Sequence, residues 1–441
     1  MGVAVMLRVL SLFSGIGAFE TALRRMGYQF ETVNYCEIDP YASKAYSQIH
    51  DIPEGKNLHD VREINPLLLD NINLVTYGFP CQDISVAGKQ KGFEYNGERT
   101  RSGLFFEALR IIEFLQPEYA ICENVKALTS KKFEKEFNTV LNSLAEVGYN
   151  NYWQVLNAKD YGIPQNRERV FIVSIRKDID TGAFTFPEKQ ELKLRVKDML
   201  EPVVDEKYYI NSDRAKKLIE KITANPEIVG GGIENRIKTI GHLGTGGQKG
   251  WVFNVNGISR CLAATDYKDP TKIIETKTMI EITEPKIKRL GNLYDENAGG
   301  ARAGNVYAPD GLAPALQTAQ GGNRQPLIFS NDPVICRSVG RDPDNPSNRK
   351  KGCNTEQTLE LKKDGMSNTL TTVQKDNYVL DLYRIRKLTP RECFRLMGFT
   401  DSDFDKIKGI SNTQLYKMAG NSIVVNVLEG IFRELFKAQS R

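Results

Sequence analysis

Between Val9 and about Arg176 the sequence alternates short apolar runs, rich in β-branched and aromatic residues, with amphipathic stretches. This alternation is typical of βαβ units, which build a mostly parallel sheet covered by helices. We predict helices over 103–114 and 133–145. The predicted strands cover residues 9–13, 33–37, 74–77, 119–123, 152–156 and 170–175. The pattern therefore predicts an α/β fold for this part of the chain.

The pattern changes beyond Arg176, where Gly, Asn and Pro-rich turns surround short strands as far as about Asp381. This stretch predicts a second domain or an insertion that is mostly β and irregular. After it, Thr389-Pro-Arg-Glu resembles a helix N-cap with Pro at the first helical position and an acid at the third. Apolar residues then recur at helical spacing, at positions 423, 424, 427, 428 and 431. We expect this C-terminal part to pack back onto the first domain.

A repeat lies within the Gly-rich stretch. Its copies share the segments Gly257-Ile-Ser-Arg-Cys-Leu-Ala-Ala-Thr265, Gly311-Leu-Ala-Pro-Ala-Leu-Gln-Thr-Ala319 and Gly365-Met-Ser-Asn-Thr-Leu-Thr-Thr-Val373, with successive glycines 54 residues apart. Upstream segments of the first two copies also match, Ile237-Lys-x-x-Gly-His-Leu243 with Ile287-Lys-x-x-Gly-Asn-Leu293 and Val252-Phe253 with Val306-Tyr307. A turn glycine followed by a short β-prone segment predicts a small hairpin unit that buries apolar area by stacking on its neighbours. The copies are either structural repetition or segments with separate specificities, and the sequence favours neither.

Composition and charge narrow the class of protein. A chain of 441 residues with 40% hydrophobic residues is long enough for two or three domains. Its formal net charge of +5 permits a nucleic-acid partner without requiring one. No apolar run approaches the length of a membrane span, so we expect a cytoplasmic protein. The seven cysteines form no C-x-x-C and the three histidines do not cluster with them, which predicts reduced thiols and no metal.

The first motif with chemical meaning is Ser11-Leu-Phe-Ser-Gly-Ile-Gly-Ala-Phe-Glu20, where a strand enters a Gly-rich turn and then a helix. Gly15 and Gly17 allow a ligand to approach the backbone. Glu37 ends the next strand, 20 residues after Gly17, where an acid can bind a ribose hydroxyl. The motif predicts a nucleoside site, against the alternative of an ordinary tight turn. It lacks the third glycine of a dinucleotide fingerprint, so NAD is disfavoured.

The second motif is Gly78-Phe-Pro-Cys-Gln-Asp-Ile-Ser85, which follows the strand over 74–77. Open α/β sheets bind their ligands outside the carboxyl ends of parallel strands, and a helix N-terminus nearby would favour a thiolate at Cys81. This placement predicts a reactive cysteine. The alternative is a small buried hydrophobic residue, which is the commoner role of cysteine.

Two further motifs lie at the ends of later strands. In Ala120-Ile-Cys-Glu-Asn-Val125 the apolar run would half-bury Glu123, raise its pKa and let it transfer a proton, although a buried carboxylate with a structural partner is also possible. In Gln165-Asn-Arg-Glu-Arg-Val-Phe-Ile-Val173, Arg167 and Arg169 alternate as a strand begins. Two arginines on one face can hold a carbonyl oxygen and an acid, whereas a solvated charge pattern is the alternative.

In this order the four motifs resemble those of the DNA (cytosine-5) methyltransferase family. The last two blocks of that family resemble Arg386-Lys-Leu-Thr-Pro-Arg-Glu-Cys-Phe-Arg-Leu-Met-Gly-Phe399 and Tyr416-Lys-Met-Ala-Gly-Asn-Ser-Ile-Val-Val-Asn426. The resemblance covers roughly residues 7–176 and 384–436. It implies a Rossmann-like methyltransferase domain over 1–176, completed by C-terminal helices over 384–441. Residues 177–383 then stand where the family has its target-recognition domain.

The resemblance also implies roles for individual residues. The site for S-adenosyl-L-methionine, which would leave as S-adenosyl-L-homocysteine, would be formed by Phe13, Ser14, Gly15, Ile16, Gly17, Glu37, Ile38, Asp60, Val61, Asn421 and Ser422. Glu37 would bind the ribose, Ile38 would face the adenine, and Asp60 with Val61 would contact the adenine edge. Asn421 and Ser422 would close the site from the C-terminal side.

In the catalytic part, Cys81 would be the nucleophile, Glu123 the partner of cytosine N3 and its amino group, and Arg169 the holder of O2, with Arg167 in support. Pro80, Gln82 and Ser85 would shape a catalytic loop that runs to about Arg101 and closes over bound DNA. Lys89 and Arg101 would contact that DNA together with Ser85.

The implied activity is methylation of carbon 5 of a flipped-out cytosine in duplex DNA, through a covalent bond from Cys81 to carbon 6. The implied biological context is restriction–modification or phage self-protection, with a monomer that acts independently of any cognate restriction endonuclease. Methylation of cytosine in tRNA is the main alternative. A non-catalytic DNA-binding protein and an NAD-dependent oxidoreductase are weaker ones.

Overall fold

The protein is described by a computed structural model, which covers residues 6–80, 93–95, 98–99, 101–224, 236–244, 250–276 and 383–439. Between 277 and 382 it describes the backbone of six short strands. The chain forms two compact units, each with most of its residue contacts within itself. The first unit comprises Met1–Val204, Gly232–Ile273 and Lys387–Arg441, and the second comprises Asp205–Gly231 and Ile274–Arg386.

In the described residues the strands, in chain order, are β1 (Leu7–Leu12), β2 (Phe30–Cys36), β3 (Leu74–Tyr77), β4 (Glu94–Tyr95), β5 (Glu98–Arg99), β6 (Tyr119–Val125), β7 (Tyr149–Asn157), β8 (Gln165–Asn166), β9 (Glu168–Arg176), β10 (Thr239–His242), β11 (Trp251–Asn254), β12 (Ser259–Arg260), β13 (Lys272–Thr276), β14 (Arg289–Asn292), β15 (Asn305–Tyr307), β16 (Leu327–Ile328), β17 (Ile335–Arg341), β18 (Glu356–Leu361), β19 (Asn377–Val379) and β20 (Tyr383–Lys387). The helices are α1 (Ala18–Arg25), α2 (Pro40–His50), α3 (Phe105–Leu115), α4 (Glu134–Glu146), α5 (Asp213–Ala224), α6 (Pro390–Arg395), α7 (Asp401–Ile407), α8 (Asn412–Asn421) and α9 (Val425–Gln439). Among them none is long and apolar enough to cross a bilayer.

The first unit is built on a six-stranded sheet with the order β2-β1-β3-β6-β9-β7. Strands β2, β1, β3 and β6 are parallel, while β9 is antiparallel to both of its neighbours. All six predicted strands and both predicted helices are present, with ends that shift by up to three residues. The α/β fold with a mostly parallel sheet is confirmed.

The register of the sheet brings the segments that follow β1, β3 and β6 together at the carboxyl ends of these strands. Leu12 pairs with Tyr77 and Tyr77 pairs with Cys122, so β1, β3 and β6 reach their carboxyl ends at the same level. The central strands are buried on both faces, and all four residues of β3 are inaccessible to solvent or nearly so. Burial on both faces explains why these strands read as continuous apolar runs in the sequence. Residues that follow them lie where open α/β sheets bind ligands.

The C-terminal helices pack on the N-terminal part of the first unit. Thr389 caps α6 and forms a capping box with Glu392, as the sequence predicts. Helix α9 contacts α1 through the rings of Phe19 and Phe432, whose centroids are 6.3 Å apart. The predicted return of the C-terminus to the first domain is therefore confirmed.

Two copies of the repeat form hairpins with the same backbone register. In the first unit, β10 and β11 are antiparallel and their register shifts by one residue just before Gly241, which pairs with Val252. In the second unit, β14 and β15 show the same shift just before Gly291, which pairs with Val306. The sequence repeat thus corresponds to a repeated hairpin with a bulge at the same position. The turn segments of the second and third copies lie outside the described residues.

The compact first unit takes in part of the predicted target-recognition domain. Residues 177–204 and the first repeat copy belong to it, and the parallel pairing of β12 with β8 explains why the copy does. The functional division at residues 177 and 383 remains a prediction.

Candidate active site

A cavity of about 400 Å³ opens at the edge of the sheet where β1, β3 and β6 end. Its lining comes from the N-terminal strands and loops, from β9 and from α8. The lining residues are Phe13, Gly15, Ile16, Cys36, Glu37, Ile38, Asp39, Ala42, His59, Asp60, Val61, Gly78, Phe79, Pro80, Leu104, Glu123, Asn124, Val125, Arg167, Arg169, Lys417, Met418, Gly420, Asn421 and Ser422. The cavity therefore joins the predicted nucleoside site to the predicted catalytic residues.

The turn after β1 leaves open space against the backbone at Gly15. Phe13 and Gly15 both have left-handed φ angles, 53° and 55°. A Cβ atom at Gly15 would have no neighbour within 4 Å, so the chain leaves room there for another molecule. Backbone amides and the carboxylate of Glu37 lie beside this space, and such polar groups fit the hydroxyls of a nucleoside.

Glu37 is held by backbone amides at the floor of this region. The amide of Gly15 donates to Oε2 of Glu37 and the amide of Asp39 donates to Oε1, each at 2.8 Å. Burial raises the pKa of Glu37 by more than these hydrogen bonds lower it. The carboxylate is thus fixed in orientation and faces the cavity.

Two of the predicted cofactor residues do not line the cavity. Ser14 bridges the ends of two strands, with its hydroxyl 2.8 Å from the carbonyl of Ser11 and 3.2 Å from the carbonyl of Cys36. Gly17 is required for close packing, because a Cβ atom there would lie 2.0 Å from Nε2 of His50. Their roles concern the shape of the turn.

The other predicted cofactor residues surround the opening of the cavity. Ile38 is 69% exposed, Val61 is buried, and Asp60 forms an ion pair with Arg62. From the C-terminal side, α8 ends at Asn421, and Asn421 and Ser422 both face the cavity.

The sequence analysis missed an ion pair in the cavity wall. Nζ of Lys417 in α8 lies 2.5 Å from Oδ2 of Asp39, whose other carboxylate oxygen caps α2. The pair ties the N-terminal and C-terminal parts of the cavity together. The signal that could have revealed Asp39 is the Asp-Pro sequence typical of a helix start.

The catalytic part of the cavity contains a carboxylate and a guanidinium group in direct contact. Nε of Arg169 lies 3.0 Å from Oε1 of Glu123, and both side chains are largely buried. Burial raises the pKa of Glu123, while Arg169 and Arg167 oppose this rise. Glu123 is buried as predicted and is held by an arginine, while its role in proton transfer stays a prediction.

The segment after β3 lies against Glu123. A Cβ atom at Gly78 would be 3.7 Å from Oε2 of Glu123, and Nδ2 of Asn124 donates to the carbonyl of Phe79 at 3.1 Å. Pro80 lines the cavity and is the last described residue before the predicted nucleophile. Cys81, Gln82, Ser85 and Lys89 lie outside the described residues, and for Arg101 only the backbone is described.

Arg167 lines the same cavity and binds backbone carbonyls. Its guanidinium donates to the carbonyls of Leu262, Gly420 and Ser422, at 2.9, 3.2 and 2.6 Å. Only 3% of this side chain is exposed. Arg167, which lies between β8 and β9, therefore connects this segment to the end of α8 and to the first repeat copy.

Within the described residues, no group of three or more His, Cys, Asp or Glu side chains is arranged to hold a metal ion.

The fold and the cavity define an α/β protein with an open cavity and a carboxylate–guanidinium pair at the carboxyl ends of its parallel strands. The chain belongs to the C-5 cytosine-specific DNA methylase family, which matches residues 7–437. The predicted family is thus confirmed.

Several relatives are similar over nearly the whole chain. The orphan methyltransferase M.Rho11sI of Bacillus phage rho11s is 35% identical, and the orphan methyltransferase M.SPRI of Bacillus phage SPR is 34% identical, each over 97% of both sequences. The type II methyltransferase M.HhaI of Haemophilus parahaemolyticus is 29% identical over 96% of this chain and 93% of its own length.

Solved structures show the same fold. The Entamoeba histolytica methyltransferase EhMeth matches with a TM-score of 0.55 at 15% identity, and the S. pombe Dnmt2 methyltransferase with 0.53 at 18%. Each comparison covers 98% of both chains. These structures support the Rossmann-like methyltransferase fold.

Proposed function

We propose that the protein methylates carbon 5 of cytosine in a specific duplex DNA sequence, with S-adenosyl-L-methionine as methyl donor and Cys81 as nucleophile. The observation that carries the proposal is the Glu123–Arg169 pair, which lies in the same cavity as the open backbone at Gly15. Membership of the family supplies the reaction class.

The residues of the cavity fit the proposed methyl donor. Glu37 offers a fixed carboxylate to a ribose, and the open space at Gly15 admits a ligand against the backbone. Ile38, Asp60 and Val61 stand where an adenine would be bound in this proposal. When bound, S-adenosyl-L-methionine supplies an electrophilic methyl group to carbon 5 and is released as S-adenosyl-L-homocysteine.

Carbon 5 of cytosine is a poor nucleophile because its electrons belong to an aromatic ring. In the proposed reaction the thiolate of Cys81 forms a bond to carbon 6, and the displaced electron pair moves toward N3 and O2. Glu123 in its protonated form donates to N3, while Arg169 stabilises the charge at O2. Carbon 5 then forms a bond to the methyl group. Water takes the proton from carbon 5, the bond between carbon 6 and sulfur breaks to release Cys81 as thiolate, and N3 returns its proton to Glu123.

A thiol cannot reach either face of a stacked base, so the target cytosine must leave the duplex, at a cost of about a few kcal/mol. We propose that the loop from Pro80 to about Arg101 closes over the DNA. Residues 177–383 would contact phosphates through Lys and Arg and base edges through turn residues.

Covalent trapping tests the mechanism. A duplex that contains 5-fluorocytosine has no proton to lose from carbon 5, so an adduct should accumulate when S-adenosyl-L-methionine is present. We expect the adduct with the wild-type chain and with Cys393→Ala, which removes a thiol buried in α6. Cys81→Ser should form none. Normal methylation by Cys81→Ser would overturn the mechanism.

Bisulfite sequencing of DNA from cells that express the chain tests the activity and reads its target site. Methyl incorporation into tRNA but not into genomic DNA would instead favour the RNA alternative. Phage relatives are named orphan methyltransferases and another relative is a type II methyltransferase. Phage self-protection and restriction–modification are therefore the two proposed roles, and a cognate endonuclease would act independently.

We also propose a cytoplasmic monomer that binds DNA largely through phosphate contacts. Such binding releases counterions, so the affinity for duplex DNA should fall steeply with salt, by about 10³-fold or more between 50 and 200 mM if six or more phosphates are contacted. An affinity that stays constant over this range would contradict phosphate-dominated binding.

A further inference from the structure

The turn of the first repeat copy, which begins at Gly257, is built into the first unit. The amide of Ser259 donates to the carbonyl of Pro164 at 2.7 Å, and β12 continues this contact by pairing with β8. The amide of Leu262 donates to Oε1 of Gln165 at 3.2 Å. This segment therefore runs directly beside the strand that leads into Arg167 and Arg169.

Cys261 lies between these two arginines. Its Sγ is 3.2 Å from Nη1 of Arg167 and 3.9 Å from Nη2 of Arg169, and the thiol donates to the carbonyl of Leu262 at 3.4 Å. Burial by itself would raise the pKa of Cys261, but the two guanidinium groups lower it overall. The sulfur thus lies within hydrogen-bond distance of both guanidinium groups.

Arg169 in turn holds Glu123 through Nε. A continuous chain of contacts therefore runs from the repeat copy to the proposed proton donor, through Cys261, Arg169 and Glu123. Arg167 anchors the same thiol to the end of α8, since it binds the carbonyls of Gly420 and Ser422.

The three repeat copies differ at the position of this thiol. All three keep the turn glycine, an apolar residue after it and a leucine five residues after it, and in the first copy Ile258 and Leu262 are almost fully buried. The equivalents of Cys261 are Ala315 and Thr369. In the first copy the shared positions serve the packing of the turn, and a cysteine at this position occurs in the first copy alone.

We propose that the first repeat copy is a positioning segment of the catalytic site, in which Cys261 orients the Arg169–Glu123 pair. The proposal rests on the proposed function. Arginine loses rotamer entropy when its side chain is fixed. The sulfur of Cys261 contacts Nη2 of Arg169, while Glu123 contacts Nε. Together they restrict the guanidinium group before substrate binds, which favours the geometry needed for transition-state stabilisation.

Substitution of Cys261 tests the proposal through kinetics at saturating DNA and S-adenosyl-L-methionine. We expect Cys261→Ala to lower kcat by about 10-fold with both KM values within about twofold of wild type, because a small misplacement of a catalytic group is costly. Cys261→Ser keeps an acceptor and should recover most of the rate. Thr265→Ala, in an exposed position of the same segment, is the matched control and should behave as wild type.

The pH profile of kcat separates positioning from a general structural effect. If Arg169 is held less firmly beside Glu123, it lowers the pKa of Glu123 less, so the limb of the profile due to Glu123 should move to higher pH in Cys261→Ala. An unchanged kcat and profile in Cys261→Ala would overturn the proposal. So would equal losses in Cys261→Ala and Thr265→Ala.

A measurement that needs no turnover keeps this proposal separate from the proposed function. In NMR spectra, the Nε–H signal of Arg169 should be protected from exchange in the wild type and less protected in Cys261→Ala. If the wild-type chain transfers no methyl group to DNA, the proposed function fails, and the Arg169 signal still decides the positioning role. Equal protection in both proteins would refute it.

Discussion

Nε of Arg169 lies 3.0 Å from Oε1 of Glu123, across the antiparallel strands β6 and β9. In the register of these strands Arg169 pairs with Val125, so Glu123 is its diagonal neighbour on the same face of the sheet. Two rigid strands thus fix both backbone positions, and the cavity edge leaves the two side chains facing the same space. This arrangement provides an acid and a hydrogen-bond donor without any movement of the backbone.

Replacement of Glu123 by glutamine should abolish most of the activity without unfolding the protein. Glutamine keeps the shape but cannot transfer a proton, so we expect the single-turnover rate of methyl transfer to fall by about 10²- to 10⁴-fold. DNA affinity should remain within a few-fold of wild type. A rate within threefold of wild type would exclude Glu123 as the proton donor.

The same substitution should change how stability depends on pH. Because burial raises the pKa of Glu123, the folded chain holds this proton more tightly than the unfolded chain does. The wild type therefore loses stability as pH rises from about 4.5, the ordinary carboxyl value, through the higher folded-state pKa. Urea unfolding at pH 4.5 and pH 8 should show Glu123→Gln gaining stability relative to wild type at the higher pH.

Arg167→Lys should destabilise the first unit, although the charge is retained. A lysine cannot reach the carbonyls of Leu262, Gly420 and Ser422 at once, and buried acceptors would be left unpaired. We expect a loss of about 2–4 kcal/mol in the free energy of unfolding, measured in urea. A loss below about 0.5 kcal/mol would show that these bonds contribute little.

Gly420→Ala should disturb the contact between α8 and the first repeat copy. A Cβ atom at Gly420 would lie 2.2 Å from the carbonyl carbon of Ala263, and neither backbone can shift freely. We expect a cost of about 1–3 kcal/mol, as for overpacking. Gly409→Ala is the matched control, since its Cβ would meet nothing within 4 Å, and it should change stability by less than about 0.5 kcal/mol.

His50 should make the protein sensitive to mild acid. Burial lowers its pKa from 6.5 to about 4, and its Nε2 makes a 3.1 Å hydrogen bond with the carbonyl of Ile16. The unfolded chain takes up this proton first, so stability is complete above pH 6.5 and falls as pH drops toward 4. The expected loss is roughly 3 kcal/mol. Thermal unfolding between pH 7 and 4.5 should show a weaker pH dependence in His50→Gln.

Much of the fold was predictable because its signals are local. Strands buried on both faces appear in the sequence as short apolar runs. The capping box appears as a Thr389 followed three residues later by Glu392. Other features have no local signal. Asp39 and Lys417 are 378 residues apart in the chain and meet only in the folded protein. The contact between Gly420 and Ala263 also joins segments that are distant in sequence.

Sequence by itself determined the α/β class, the family and the residue types of the proposed reaction, because chemistry depends on side-chain identity and motif order. Only the tertiary structure decided which groups meet. Arg169 forms an ion pair with Glu123 and does not simply face solvent, and Arg167 binds backbone carbonyls. Gly17 allows close packing against His50. The tertiary structure also placed Cys261, a residue of the repeat, beside both arginines. The physical reason is that these contacts depend on strand register and on close packing between distant segments, and no local sequence pattern encodes either.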